Sequence, residues 1–279
     1  MSDNQSEGFP SGTLMAGKRG LIMGVANKNS IAWAIAQQLA AQGAELAFTY
    51  QGDKLLRRVK PLAESVGSDV LLDCDVTNDD QMDAAFAALA DKWGSLDFLV
   101  HAIAFAGRDQ LEGSFVDSTT REGFKSALDI SAFSFVDAAR RASAMMGEGG
   151  SMVTLTYLGS ERVVPNYNVM GVAKAALEAS TRYIAADLGP RGIRVNAISA
   201  GPIKTLAAAG IGSGRHMFRF NKAASAMQDN TDPRGVAGAA LYLLSDLGLS
   251  CTGEVHHVDG GFHAIGMPQE GPLRESLEG

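Results

Sequence analysis

Residues 20–43, GLIMGVANKNSIAWAIAQQLAAQG, decide the fold. Gly20–Val25 is a short apolar run bounded by glycine, which predicts a strand buried on both faces. Ser30 stands where a helix N-cap belongs, IAWAIAQQLAAQ follows as a helix, and Gly43 supplies the stop. The unit is therefore strand, tight turn at Gly24, helix. Its helix start presents unpaired amides and a positive dipole end just beyond the strand, an arrangement that receives pyrophosphate. Only one glycine of the GxGxxG fingerprint is present, so the motif alone reads equally as a plain turn. Its place in the first strand–helix unit is the stronger argument.

The alternation continues almost to the end. Leu46–Tyr50, Val70–Cys74, Leu96–Ile103, Ser151–Thr156, Ile193–Ser199 and Glu254–Val258 read as further strands. Helices are expected over Asp53–Val66, Asn78–Trp93, Thr119 to about Met146 (opened by a capping box, Thr119-x-x-Glu122), a segment carrying Lys174 to Leu188, and Asp232-Pro233 to about Leu247. Apolar strands between helices imply an α/β fold: a Rossmann-like, doubly wound, seven-stranded parallel sheet with helices on both faces, in a single domain. That domain is expected over residues 17–265, after a flexible polar lead, 1–16, and before a tail, 266–279. Gly201–Asn230 is too long for an ordinary connection and reads as a lid or binding loop.

Composition narrows the class. Hydrophobic residues make up 46% of the 279 and charged residues 20%, ample for a large core. A net charge of −7 argues against nucleic acid as a partner. Cys74 and Cys251 lie far apart without metal-ligand spacing, which suits free thiols in a reducing cytoplasm. His256 and His257 are neighbours in a strand and point to opposite faces, so no metal is expected there. The N-terminal residues carry neither a basic nor an apolar signal region, and no apolar run approaches the roughly 20 residues of a membrane helix.

In such a sheet ligands bind beyond the carboxyl ends of the strands. After strand two comes Tyr50-Gln51-Gly52. A neutral Gln51, rather than an arginine, favours NADH over NADPH. Lys54, Arg57 and Arg58 are near in sequence, although a solvated helix face explains them equally well. Asp75 and Val76 follow strand three and offer an adenine ring one polar and one apolar contact; Asp75 reads equally as a turn residue. The other chemical stretch is Thr154–Lys174, TLTYLGSERVVPNYNVMGVAK. Lys174 comes seven residues after Tyr167, so on a helix the two share a face about 10 Å apart. A phenol there can serve as acid or oxyanion donor, and the ammonium is expected to favour its ionised form. A packing tyrosine and a solvated lysine are the alternative.

The Gly24 turn, the His101–Ala106 run HAIAFA and the Tyr157/Tyr167/Lys174 set together resemble the short-chain dehydrogenase/reductases. More narrowly, the chain resembles the NADH-dependent enoyl-acyl-carrier-protein reductases of bacterial fatty-acid synthesis over about residues 16–265. The most specific stretches are GVANKNSIAWAIA, ELAFTYQ, REGFK, RVNAISAGPIKTLAA and GEVHHVDGGF. Most of the superfamily places its tyrosine four residues before the lysine, where this chain has Met170; the enoyl reductases place it seven before. A physical reason is that conjugate reduction separates the hydride acceptor, C3, from the oxygen that gains charge. One helical turn, about 5.4 Å, is compatible with that separation.

The resemblance implies that Tyr167 donates to the thioester oxygen, that Lys174 holds the nicotinamide ribose, and that Tyr157 lines the acyl pocket. It also implies cofactor contacts from Gly24, Ser30, Ile31, Gln51, Asp75, Val76, Ile103, Ile203 and Thr205, and substrate contacts from Ala106, Met217 and Phe218. Residues 203–230 match the family's substrate-covering loop, with Ile211 and Phe220 as further channel candidates beside Met217 and Phe218; a small satellite core is the alternative for all four. Arg215, Arg219 and Lys222 would share one face of a helix and offer an acidic acyl carrier protein a docking surface; a solvated face is the alternative for the last two. A homotetramer is implied as well. Two rivals remain: a 3-ketoacyl or alcohol dehydrogenase of the same superfamily, and a nucleotide-binding sensor without catalysis.

Overall fold

A computed structural model describes residues 8–147, 149–205 and 214–272. Seven strands, β1 (Arg19–Met23), β2 (Glu45–Tyr50), β3 (Val70–Asp73), β4 (Phe98–His101), β5 (Gly150–Thr156), β6 (Ile193–Ala200) and β7 (Val255–Val258), form one sheet. Its order is β3-β2-β1-β4-β5-β6-β7, and every neighbouring pair is parallel. This is the doubly wound sheet that the alternation implied.

The helices are α1 (Ile31–Ala41), α2 (Gly52–Ser65), α3 (Asp79–Trp93), the single turns α4 (Arg108–Leu111) and α5 (Phe115–Ser118), α6 (Arg121–Leu128), α7 (Ser134–Met145), α8 (Asn168–Leu188), α9 (Gly214–Ala224) and α10 (Pro233–Leu244). Successive strand residues feed opposite cores, as the two-residue strand period requires. Ile22, Phe48, Val100, Val153 and Ile198 pack with Trp33, Ile35 and Leu39 of α1 and Val236 and Leu243 of α10. Leu21, Met23, Leu99, Met152 and Val195 pack with Met82 and Phe86 of α3, Phe135 of α7 and Leu177 of α8. Each fully buried side chain of this size contributes about 1.5–3 kcal/mol.

Several helix ends follow the sequence. Asn78 caps α3 by accepting from the Gln81 amide, and Asp232 caps α10 ahead of Pro233. The segment expected as one helix from Thr119 differs in two ways. Its cap is Thr120, whose hydroxyl accepts from the Gly123 amide at 3.0 Å, while the Thr119 hydroxyl is buried without a partner. The Gln110 side-chain oxygen accepts from the Thr120 amide at 3.0 Å and so takes the place that Glu122 would fill in a capping box; Glu122 instead pairs with Lys125. The helix is also interrupted by a π-turn, Asp129–Phe133, between α6 and α7.

No helix among the described residues is long and apolar enough to cross a membrane, and no three metal-ligating side chains gather there. Cys74 and Cys251 are both free thiols.

Candidate active site

The sheet turns about at β1 and β4, which are paired neighbours although far apart in sequence. The crevice beyond their carboxyl ends is where such sheets bind ligands. Gly24 leaves β1 at φ +103°, and a Cβ on it would lie 2.2 Å from the Ala102 carbonyl oxygen after β4. Only glycine fits both the conformation and the space. Ser30 sits at the N-cap position of α1 but does not cap it. Its hydroxyl turns back to accept from the amides of Ala26 at 3.0 Å and Asn27 at 3.1 Å, closing the turn and leaving the first helical amides unclaimed by it.

A cavity of about 490 Å³ opens there, with Gly24, Ser30, Ile31, Gln51, Asp75, Val76, Ile103 and Thr205 in its walls. Across it the Gln51 side-chain amide donates to Asp75 at 2.7 Å. The other Asp75 oxygen accepts from the amide and hydroxyl of Thr77, so Asp75 also does the work of a turn residue. Burial acts to raise the Asp75 pKa, but the bonds from Thr77 and Gln51 outweigh it and hold the carboxyl below its ordinary value. Lys54, Arg57 and Arg58 are exposed along α2.

A second cavity of about 500 Å³ adjoins the first, and Ile31, Ile103, Leu155 and Thr205 line both. Ala106, Tyr157, Tyr167, Met170, Lys174, Ile203 and Met217 line it. The structure therefore brings all three residues of the Thr154–Lys174 set to one chamber. Tyr167 is the residue just before α8, and the Tyr157 and Tyr167 rings meet edge to face, 5.0 Å apart at 74°. Two glycines permit this packing. A Cβ on Gly159 would lie 2.4 Å from the Tyr167 ring, and one on Gly171 would lie 2.6 Å from the Gly159 carbonyl oxygen.

Lys174 is buried on α8, and its ammonium donates to the Leu155 carbonyl at 2.7 Å. Burial brings its pKa down to about 8, with Glu178 opposing. It remains charged at neutral pH. Burial pushes Tyr157 up to about 12, with Asp259 adding to the rise, and pushes Tyr167 further up, aided by Tyr157 and Glu178. Burial thus works against the ionised phenol that Lys174 was expected to favour. Both tyrosines are neutral hydroxyl donors.

Of the other residues singled out in the sequence, those described lie away from the chamber. Phe218 lines neither cavity. Phe220 packs edge-on against Phe262 at 6.1 Å, a satellite cluster rather than a channel wall. Arg219 and Lys222 are exposed on α9, with Lys222 3.9 Å from Asp229. Ile211 and the Arg215 side chain lie outside the described residues. His256 faces Tyr242 while His257 faces Glu161, on opposite sides of β7.

Sequence reasoning missed the support around the chamber. Ser131, in the π-turn, accepts from the Phe105 amide at 3.0 Å and fixes the segment after β4. His101 bridges Thr154 at 3.0 Å and Ser134 at 2.8 Å. Glu178 accepts from Thr156 and Ser160, each at 2.5 Å. For Glu178 a signal existed: a carboxylate four residues after Lys174 on the same helix face.

A doubly wound sheet, a crevice at its turning point and a buried tyrosine–lysine pair beside it define a dinucleotide-dependent reductase of the short-chain dehydrogenase/reductase type. Residues 24–263 match the family model described as enoyl-(acyl carrier protein) reductase, and the chain belongs to that family. It is 59% identical over 261 residues to enoyl-[acyl-carrier-protein] reductase [NADH] 2 of Rhizobium meliloti (strain 1021), covering 94% of this chain and 97% of that one. The enoyl-acyl-carrier-protein reductase of Anaplasma phagocytophilum, solved in complex with NAD, superposes with a TM-score of 0.90 at 51% identity, over 94% of this chain and 99% of the other. The Bacillus cereus enoyl-acyl-carrier-protein reductase, solved with NADP+ and indole naphthyridinone, gives 0.89 at 50% identity, over 91% and 99%.

Proposed function

We propose that this protein reduces the trans-2 double bond of enoyl-acyl-carrier-protein thioesters with NADH, in bacterial type II fatty-acid elongation. The observation that carries the reading is the Tyr167–Lys174 pair in a chamber that shares its wall with the dinucleotide crevice, with Met170 lining that chamber where a ketoreductase has its tyrosine. The crevice fits a dinucleotide at its turn, where Gly24 lets β1 bend sharply against the Ala102 carbonyl and the start of α1 offers amides that the Ser30 hydroxyl does not claim. Gly24, Ser30 and Ile31 would hold the pyrophosphate end, Gln51, Asp75 and Val76 the adenosine, and Ile103, Ile203 and Thr205 the nicotinamide end. An Asp75 carboxylate bonded to Gln51 disfavours a further phosphate beside it, which supports NADH over NADPH.

When bound, NADH would supply the hydride that C3 of the enoyl thioester takes up. The chain's part is to receive the charge that this leaves on the thioester oxygen. Tyr167, neutral and buried, donates its O–H there, and a donor of this kind contributes about 3–4 kcal/mol to the transition state. Lys174 commits one proton to Leu155 and keeps two for ribose hydroxyls, while its charge lies beside the developing oxyanion. Tyr157, Ala106 and Met217 line the acyl path; the geometry supports no such contact for Phe218. The enolate then takes a proton at C2.

Acyl carrier protein would dock on the basic face of α9, at Arg215, Arg219 and Lys222. The enzyme would work in the cytoplasm as a homotetramer. The test is the loss of NADH absorbance with a trans-2-enoyl thioester and not with a 3-ketoacyl thioester. Loss with the keto substrate alone would make it a ketoreductase; binding of NADH with neither reaction would make it a sensor. Replacing NADH by NADPH is expected to lower kcat/KM, and equal values would remove the role given to Gln51 and Asp75.

A further inference from the structure

Tyr157 is held from both sides by one face of α8. Just before it, the Leu155 carbonyl accepts from Lys174 at 2.7 Å and the Thr156 hydroxyl donates to Glu178 at 2.5 Å. Just after it, the Ser160 hydroxyl donates to the same Glu178 oxygen, also at 2.5 Å. Glu178 is 6% exposed, and among the described residues no lysine, arginine or histidine stands within ion-pair distance of it. A buried carboxylate without a salt bridge is costly, and two short hydroxyl bonds offset only part of that cost. A purely structural clasp would be served at lower cost by an amide or another hydroxyl, so the charge itself calls for a use.

We propose that Glu178 is a positioning residue for the reduction: its carboxylate clamps Thr156 and Ser160 around Tyr157, and its charge keeps the Lys174 ammonium in place one helical turn away. The proposal rests on the reductase reading above. The titratable groups that face this pair are few. Tyr157 and Tyr167 stand on the chamber side, His101 on β4, and Asp259, just beyond β7, acts on Tyr157. Burial brings His101 down to about 3 and pushes Tyr157 up to about 12, so neither titrates between pH 6 and 10, and Tyr167 lies higher still. Lys174, at about 8, is left to set the alkaline limb. A carboxylate on the same helix face favours its protonated form, so neutralising Glu178 moves that limb down.

The experiment is the pH profile of kcat/KM with NADH and a trans-2-enoyl thioester, and of the NADH Kd, for the wild type and Glu178→Gln. Gln can still accept from both hydroxyls but carries no charge. The alkaline limb is expected to move toward lower pH by about one unit in both profiles, the size of a single buried charge interaction at this range. Ser160→Ala, which removes one hydroxyl and no charge, is expected to lower kcat at least threefold and leave the limb in place. An unchanged limb in a folded Glu178→Gln overturns the proposal. Should that variant fail to fold, a Ser160→Ala enzyme with wild-type kcat overturns it instead. A wild type that reduces no enoyl thioester would overturn the function reading, which separates the two failures.

Discussion

At the scale of one residue, burial decides the form in which Tyr167 could act. It is 9% exposed, its pKa is pushed well up by desolvation, and its ring is locked edge-on against Tyr157. In the proposed reaction it would therefore meet a developing oxyanion as a neutral donor. Tyr167→Phe keeps the ring and its packing and removes only the hydroxyl. We expect kcat with an enoyl thioester to fall by roughly a hundredfold or more, the usual effect of losing one oxyanion donor, with little change in the NADH Kd or in Tm. Lys174 carries the complementary prediction. Its ordinary lysine value is brought down to about 8, so the ammonium that would hold the ribose is lost as pH rises through that value. NADH binding followed by fluorescence should weaken above about pH 8, and Lys174→Met should give weak binding at every pH. A flat wild-type profile from pH 7 to 10 would remove the ribose role.

At the scale of elements, the C-terminal ends of β4 and β5 are tied to α7 by one imidazole. His101 is fully buried between Thr154 and Ser134, with the Phe135 ring 5.2 Å away. Burial, with the nearby Lys174 charge adding to it, lowers its pKa from 6.5 to about 3. The folded protein thus resists taking up a proton that the unfolded chain accepts below about pH 6.5. Stability from this residue is present above that value and is lost progressively as pH falls toward 3, by up to about 4–5 kcal/mol. Denaturant unfolding between pH 7 and 4 should show the decline, and His101→Gln should flatten it at the cost of a lower starting stability. The strands were legible in sequence because each is an apolar run that must be buried on both faces. Gly24 was legible because a turn before a helix start demands such a residue. The π-turn at Asp129–Phe133 was not, since its cause is tertiary: Ser131 bonds to Phe105, which is distant in sequence. The same holds for Thr120, whose amide is satisfied by Gln110 rather than by its own helix. Tyr157, Tyr167 and Lys174 could be picked out from spacing and resemblance, but that they meet in one chamber depends on the close packing at Gly159 and Gly171, and no local pattern carries that.

For the whole molecule, the outer faces of α6, α7 and α8 pose the remaining question. Phe124, Phe133, Val136, Val172 and Tyr183 are exposed, Phe133 by 54% and Tyr183 by 76%. On α8 the exposed and half-exposed positions Val172, Ala175, Ala179, Tyr183 and Ala186 recur every three or four residues, a single apolar stripe. Its alanines would let a second helix approach closely. A monomer gains nothing by presenting such a face to water, whereas a two-fold pairing of α7 and α8 with those of a second copy would cover it. Tyr242, Leu247 and Leu249, also exposed, supply another apolar face beside the sheet edge at β7. Two such faces, each paired with its counterpart on another copy, would close into a tetramer with dihedral symmetry. Light scattering should therefore give four times the 29.2 kDa chain mass. Tyr183→Glu, at the largest side chain of the α8 stripe, should leave dimers of half the tetramer mass that are held by the β7 face alone. Activity should fall with assembly, because the helix that loses its cover is the one that carries Lys174 and Glu178. A wild-type monomer, or a Tyr183→Glu protein that remains tetrameric, would rule out this face as the interface.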